Sequence, residues 1–580
     1  MATPAISHQK KRLLVCCDGT WMNSDKGYEK ASFFNPIIKA QVPSNVTRIS
    51  RSFKRQCTDG TVQIIEYQSG VGTGSSLSDI LTGGAFGFGI AENIREAYAF
   101  ICANYVDGDE IVLIGFSRGA FTARSVAGMI SDLGLLTRDG MEHFYPIFKD
   151  MENRRTAGYK DPFPNDPFPN KPRGENAEAT YRQMLLDRGF TRVREDGGNG
   201  KLITIKAVAV WDTVGSLGIP RVSWLEKLGI QHRIEHAFQA LALDEHRPPF
   251  SPAVWERLPA NKDTTDLRQV WFPGNHGNVG GGWADQGIAD ISLAWLMDQL
   301  ASVGVEFDSG SIDRIFAATT LYYRSTASQG TQPGDTLPTP ISEPDVQLSK
   351  PIPPPSPSLA APNWLSRLFR TVRLLNWAMN PIYENDHPIR PWALGAILRA
   401  SSFIYILAGE ITRTPGLYKK VNPSDGQPTA AFLEDTNERI HPSVRVRLAV
   451  KGLGLDDESV WDCPALLKNG WRLRRTDQQF VDPIPAGVEG WDQQRPEQQP
   501  ESSDDSGLSS VEGPQNGAAS PGGRWVWEYV GREGGAPPQR LLVEETLGPY
   551  ERYLLKLAAG YPNVYEFAQE RSLELVRSAG

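Results

Sequence analysis

Short apolar runs alternate with amphipathic segments along the amino-terminal half of the chain. The apolar runs predict buried strands at residues 13–17, 62–67, 111–114, 202–211 and 268–273. Apolar positions at three- and four-residue steps predict helices at residues 45–53, 90–105, 236–243, 288–300 and 312–321. Because strands that alternate with helices form parallel sheets, we expect an α/β fold with a mostly parallel sheet and helices on both faces.

The composition changes in the carboxyl-terminal half. Residues 326–362 are rich in Pro, Ser, Gln and Thr, which predicts a linker or an external loop. Residues 482–524 are acidic and rich in Gln, Pro, Ser and Gly, which predicts disorder. We therefore expect a principal domain at 10–325, an accessory helical region at 363–481 and a carboxyl-terminal segment at 525–580.

Charge and hydropathy narrow the class of protein. The net charge of −8 over 580 residues argues against broad nucleic-acid binding. The five cysteines are scattered and odd in number, which is typical of reduced thiols. No apolar run approaches the length of a membrane span, and the run near the amino end is too short for a signal peptide. We expect a cytoplasmic protein, with peripheral membrane contact left open.

Residues 363–380 are the segment that would make such a contact. On a helix, Leu368, Val372 and Leu375 share one face, and a stripe of arginines runs beside it. Apolar side chains flanked by arginines are typical of a helix that lies in the plane of a membrane interface. The alternative is a helix packed on the principal domain with its arginines in solvent.

Gly115-Phe116-Ser117-Arg118-Gly119 fits the pattern G-x-S-x-G between a predicted strand and a predicted helix. In that context the serine lies on a sharp turn and exposes its hydroxyl at the carboxyl edge of the sheet, as a nucleophile does. The Arg118 amide would face a developing oxyanion, and Gly19 or Thr20, after the first strand, are candidates for the second donor. The alternative is a turn whose serine only caps a helix.

Serine needs a base and an orienting acid, and in α/β-hydrolases these follow in the order Ser, Asp or Glu, His. Asp212 and His276 each come directly after a predicted parallel strand, so both are expected at the edge that carries Ser117. Asp244 or Glu245 remain alternatives for the acid, and His441 for the base. Asp212 and His276 taken singly can also be ordinary loop residues.

Several segments together resemble one family. In order, they are Val15-Cys16-Cys17-Asp18-Gly19-Thr20-Trp21, Gly70-Val71-Gly72-Thr73-Gly74, the segment around Ser117, Trp211-Asp212-Thr213-Val214-Gly215, and His276 with Val279-Gly280-Gly281-Gly282. Over residues 10–325 the chain resembles the catalytic domain of the type VI secretion phospholipase effectors, an α/β-hydrolase domain family. The resemblance implies a triad of Ser117, Asp212 and His276. Family members usually carry Asp two residues after this histidine, and this chain has Asn278.

The expected function is hydrolysis of acyl esters, with phospholipids as the implied substrates, through an acyl-enzyme on Ser117. Water completes such a reaction, so no metal or organic cofactor is implied. A soluble carboxylesterase or thioesterase is the alternative within the same class. Asn278 and the low-complexity segments keep a third hypothesis open, a catalytically weak hydrolase fold that binds lipid or protein.

Overall fold

A ten-stranded sheet forms the centre of the protein in its computed structural model. The structure describes residues 9–19, 28–29, 39–40, 42–70, 84–153, 158–174, 177–214, 233–328, 390–398, 409–422, 428–450, 452, 461–478, 480, 523–532, 535–558 and 564–578. The predicted interfacial segment 363–380 lies outside these residues, as do Thr20, most of the predicted linker 326–362 and nearly all of the segment 482–524.

The strands of the sheet are β1 Lys11–Cys17, β2 Val62–Gln68, β3 Glu110–Phe116, β4 Ile205–Trp211, β5 Ile234–Ala242, β6 Asp266–Phe272, β7 Glu438–Ile440, β8 Trp471–Thr476, β9 Arg524–Tyr529 and β10 Leu541–Glu544. Their order across the sheet is β8-β9-β10-β7-β6-β5-β4-β3-β1-β2. The eight neighbouring strands β10-β7-β6-β5-β4-β3-β1-β2 all run parallel to one another. At the other end of the sheet, β9 runs antiparallel to both β10 and β8. The predicted mostly parallel sheet is confirmed.

The helices are α1 Asn45–Ser50, α2 Gly84–Asn104, α3 Arg118–Leu133, α4 Arg138–Glu142, α5 Phe144–Asn153, α6 Ala177–Asp187, α7 His276–Gly280, α8 Gly287–Ala301, α9 Ser311–Ser328, α10 Pro442–Ala449, α11 Pro464–Leu467, α12 Pro549–Ala558 and α13 Val564–Ser578. Short two-stranded ribbons pair Tyr28–Glu29 with Lys39–Ala40, Leu135–Leu136 with Thr191–Arg192, and Lys419–Val421 with Pro428–Phe432. None of the helices in the described part of the chain combines the length and the hydrophobicity that spanning a bilayer requires.

Both faces of the sheet are covered by helices. Side chains alternate between the two faces of a strand, so in β1 Leu14 packs with α1 and α8 while Leu13 packs with α2 and α3. A strand buried on both faces needs apolar residues at every position, which accounts for the continuous apolar runs in the sequence.

The prediction of a helix at residues 236–243 is wrong, because this segment forms strand β5. Its alanines favour helix as an isolated sequence, but β5 pairs with β4 on one side and β6 on the other. Ala237, Phe238 and Ala240 are fully buried there. Burial on both sides in the middle of a sheet therefore outweighs the local preference. As a consequence, Asp244 and Glu245 follow a strand.

The carboxyl-terminal strands extend the same sheet. β7 pairs with β6 through Trp271 and Ile440, and β10 pairs with β7. The sheet therefore continues past residue 325, where the sequence predicted the end of the principal domain, and the region 363–481 contributes strands as well as helices.

His441 ties these carboxyl-terminal elements together. It follows β7, it is fully buried, and its Nε2 lies 2.6 Å from Glu551 Oε1 in α12. Burial lowers the pKa of His441 to about 3. The folded protein therefore holds this imidazole neutral over a range of pH in which the unfolded chain protonates it.

We expect His441→Gln to weaken the response of stability to acid. In the unfolded chain the pKa of a histidine is about 6.5, so below that pH the unfolded state binds the extra proton. Wild-type stability should fall on acidification by up to about 1.4 kcal/mol per pH unit from this group. Calorimetric unfolding midpoints at pH 7 and pH 5 should differ less in His441→Gln than in wild type or in His143→Gln, a control in a half-buried position. An equal fall in all three would contradict this account.

Candidate active site

Ser117 occupies a strained turn between β3 and α3. Its φ of 59° and ψ of −121° are rarely adopted by residues with a side chain, and its amide donates to Trp211 O at 3.1 Å. The turn is tight because a Cβ on Gly119 would lie 2.1 Å from Cys17 O, so only glycine lets α3 pack this closely on β1. Strain of this kind requires strong support from the surrounding structure and is typical of functional positions.

Asp212 and His276 meet beside that turn. Phe116 pairs with Trp211 in the sheet, so Ser117 and Asp212 leave neighbouring strand ends. His276 begins α7 after β6, and its Nδ1 lies 2.7 Å from Asp212 Oδ2. With Nδ1 bonded to this carboxylate, Nε2 is the nitrogen that remains for a proton from a nucleophile.

Aromatic rings enclose the imidazole of His276. The ring centroid of Phe116, the residue before the serine, lies 4.6 Å away, and that of Phe250 lies 5.0 Å away at an interplanar angle of 72°. Gly280 contributes to this packing, since a Cβ there would lie 1.9 Å from the Phe116 ring. These contacts, with the bond to Asp212, restrict the orientation of the histidine.

The alternative acids perform other tasks in the structure. Asp244 accepts from Gly274 N at 2.6 Å and Trp461 Nε1 at 2.9 Å, and burial raises its pKa. Glu245 accepts from the backbone amide of His276 at 3.2 Å and pairs with Arg247. Of the three carboxylates, Asp212 is the one bonded to the imidazole, while the other two order the loop that carries it.

His441, the alternative base, lies elsewhere. Its Nδ1 is 2.7 Å from Ser443 Oγ, and its ring stacks on Phe272 at 4.4 Å. With Glu551 on its other nitrogen, this histidine belongs to the packing between β6, β7 and α12.

The loop after β1 lies against Ser117. A Cβ on Gly19 would lie 2.9 Å from the Phe116 ring and 3.4 Å from Ser117 Cβ, so glycine lets the loop pack against the residue before the serine. The Gly19 amide donates to Asp18 Oδ1 at 2.7 Å, however, and is therefore occupied in this arrangement. Thr20 lies outside the described residues, and Arg118 is the first residue of α3.

Asp18 orders this loop. Besides the Gly19 amide, its carboxylate accepts hydrogen bonds from the hydroxyls of Ser44 at 2.7 Å, Thr47 at 2.8 Å and Tyr67 at 2.7 Å. Burial raises the pKa of Asp18, and these hydrogen bonds oppose that rise. Asp18 therefore has a structural role, because this one buried acid connects β1, α1 and β2.

Asn278 has a partner that explains the departure from the family pattern. Its Oδ1 accepts from the Asn275 amide at 3.2 Å, and its Nδ2 donates to Ala396 O at 2.7 Å. An aspartate here would turn a carboxylate oxygen toward that carbonyl, which offers no proton. The asparagine therefore matches the segment 390–398 that covers the histidine loop.

Sequence reasoning missed Arg413, which contacts Asp212 directly. Its Nη2 lies 2.9 Å from Asp212 Oδ2 and its Nη1 bonds Oδ1, and neither side chain is exposed. No local motif marks Thr412-Arg413-Thr414, and the arginine lies about two hundred residues from its partner. Only the tertiary structure brings the two together.

A mostly parallel sheet covered by helices, with a serine on the turn after a central strand, is an α/β-hydrolase-like fold. Residues 11–299 match the family model described as "T6SS, Phospholipase effector Tle1-like, catalytic domain". These residues belong to that family, and the resemblance inferred from the sequence is confirmed. The description of the family names a phospholipase effector.

More distant similarities reach a few other proteins. The uncharacterized protein YEL023C of Saccharomyces cerevisiae is 27% identical over 271 residues, which cover 44% of this chain and 34% of the yeast protein. This chain thus matches about a third of that relative's length. The solved Tle1 effector bound to the VgrG spike of the type 6 secretion system covers 47% of this chain and 51% of its own, at 19% identity and a TM-score of 0.25. The crystal structure of an uncharacterized protein from Pseudomonas aeruginosa is similar over 55% of this chain and 50% of that protein. The sequence identity is 16% and the TM-score is 0.30.

The close packing of the serine turn predicts that Gly119→Ala destabilises the protein by about 1–3 kcal/mol, because the added methyl must displace the backbone of β1. Gly535→Ala is the matched control, since a Cβ at that glycine meets nothing within 4 Å. Chemical denaturation of the two variants and wild type measures the difference. Equal stability of Gly119→Ala and wild type would contradict the packing described.

Proposed function

We propose that this protein is a serine hydrolase that cleaves acyl esters, in particular phospholipids, through an acyl-enzyme on Ser117. The proposal is carried by the 2.7 Å contact of His276 Nδ1 with Asp212 beside the strained Ser117 turn. A serine becomes a nucleophile when a base takes its proton and an acid orients that base. The family match over residues 11–299 supports the lipid part of the proposal.

In the proposed reaction, Ser117 Oγ attacks the ester carbonyl carbon and its proton passes to His276 Nε2. Asp212 holds the ring and stabilises the imidazolium that forms. The tetrahedral intermediate collapses as His276 gives the proton to the leaving alcohol, and water then releases the fatty acid by the same route. The Arg118 amide, at the start of α3, is the proposed oxyanion donor; the Gly19 amide could serve only after leaving Asp18.

We expect Ser117→Ala to lower kcat/KM for phospholipid in mixed vesicles by about 10³-fold or more, and Asp212→Asn to lower kcat by about 10³–10⁴-fold. Both changes are nearly isosteric, and Ser117→Ala should leave the unfolding midpoint close to that of wild type. Asp212→Asn leaves the buried guanidinium of Arg413 without its carboxylate and should lower the midpoint, so kcat is compared well below the midpoint of the less stable variant. Ser125→Ala is the matched control. It lies in α3, the helix that follows Ser117, is also buried, and donates to Phe121 O at 2.8 Å. Released fatty acid is quantified by mass spectrometry.

The same assay separates the alternatives. Faster turnover of soluble carboxylic esters or thioesters than of vesicle phospholipid would favour the soluble esterase or thioesterase. Folded wild-type protein that hydrolyses none of these and whose Ser117 resists a fluorophosphonate probe would refute the enzyme, and lipid binding by that protein would favour the binding module.

A further inference from the structure

We infer that Arg413 is the positioning residue that holds Asp212 in the orientation the histidine requires. The inference rests on the proposed function, because it assigns a role within that site. Arg413 lies beyond residues 11–299, the part of the chain that matches the family. A segment outside the matched region thus completes the site.

The guanidinium of Arg413 engages both oxygens of the Asp212 carboxylate. Nη1 bonds Oδ1 and Nη2 bonds Oδ2, the second at 2.9 Å. The same nitrogens donate to Ala242 O and Phe250 O, each at 2.7 Å. All four Nη hydrogens therefore have acceptors, and the planar group cannot rotate without breaking several bonds.

The carboxylate is equally well satisfied. Ala242 N donates to Oδ1 at 3.1 Å, and His276 Nδ1 lies 2.7 Å from Oδ2. Turning the carboxylate plane about its Cβ–Cγ bond would pull both oxygens away from the guanidinium plane and weaken both contacts with Arg413. The bidentate pair thus sets the direction in which Oδ2 faces the imidazole.

The Arg413 guanidinium also stabilises the charged form of Asp212. Both side chains are fully buried. Burial would raise the pKa of Asp212, but the Arg413 guanidinium, followed by His276, holds it below its usual range. Without Arg413, a buried carboxylate would keep only one amide and one imidazole as partners.

The backbone around Arg413 is itself anchored. Asn469 Nδ2 donates to Arg413 O at 3.1 Å, and Ile411 N donates to His246 O at 2.9 Å. Trp471 Nε1 donates to Pro415 O at 3.0 Å, which fixes this segment to β8. The backbone that carries Arg413 is therefore held in place by hydrogen bonds to other elements.

The test compares Arg413→Lys and Arg413→Gln with Arg445→Lys. Arg445 is the matched control because it is also buried and bidentate, to Glu544 at 2.7 and 3.0 Å, but stands outside the site. Lysine keeps the charge but cannot span both carboxylate oxygens. We expect Arg413→Lys to lower kcat by about 10²-fold with KM within about twofold, Arg413→Gln to lower it at least as much, and Arg445→Lys to leave kcat unchanged.

A second readout does not need turnover. The Nδ1 proton of His276, assigned by its absence from His276→Gln, should give a downfield proton resonance in wild type that is displaced or lost in Arg413→Lys and retained in Arg445→Lys. If wild type hydrolyses nothing but this displacement occurs, the proposed function fails and the positioning role stands.

Wild-type kcat and an undisplaced resonance in folded Arg413→Lys would overturn the inference while leaving the hydrolase intact. Loss of folding in both Arg413 variants, with Arg445→Lys folded, would also overturn it, because Arg413 would then be a structural residue.

Discussion

A buried negative charge must be matched by donors, and the carboxylate of Asp212 imposes that constraint on the whole site. It is fully buried at the end of β4, and its partners come from β5, from the histidine loop and from the segment around Arg413. Each partner must reach one point from a different part of the chain. The site is therefore complete only when the central strands and the carboxyl-terminal region have folded together.

A buried ion pair is weak evidence for stability, because desolvation offsets much of the attraction between the charges. The Arg413–Asp212 pair is better understood through geometry, since it fixes a planar acid against a ring. The same reasoning applies to Asp18, whose buried carboxylate gathers three hydroxyls and one amide at the loop beside Ser117. In both cases a buried carboxylate fixes the position of a neighbouring group, the imidazole of His276 for Asp212 and the loop beside Ser117 for Asp18.

Local pattern predicted much of this arrangement. The apolar runs of β1, β3, β4 and β6 and the glycines around Ser117 follow from rules that act over a few residues, and the carboxyl ends of parallel strands share one edge. From these rules, Ser117, Asp212 and His276 could be selected from the sequence alone. The features that could not be predicted depend on contacts between distant parts of the chain. Residues 236–243 form a strand because β4 and β6 pair with them on either side. Arg413 carries no local signal, and the match of Asn278 to Ala396 O is equally long-range.

The central claim is a covalent intermediate on Ser117, and it can be observed directly. The protein is mixed with an activated aryl ester of a fatty acid, quenched in acid during the first turnover and digested with trypsin. Tandem mass spectrometry then examines the peptide of residues 96–118, which contains both Ser117 and Cys102. We expect a mass increase equal to one acyl group, located on Ser117. Rapid hydrolysis with no adduct under these conditions, or an adduct located on Cys102, would contradict it.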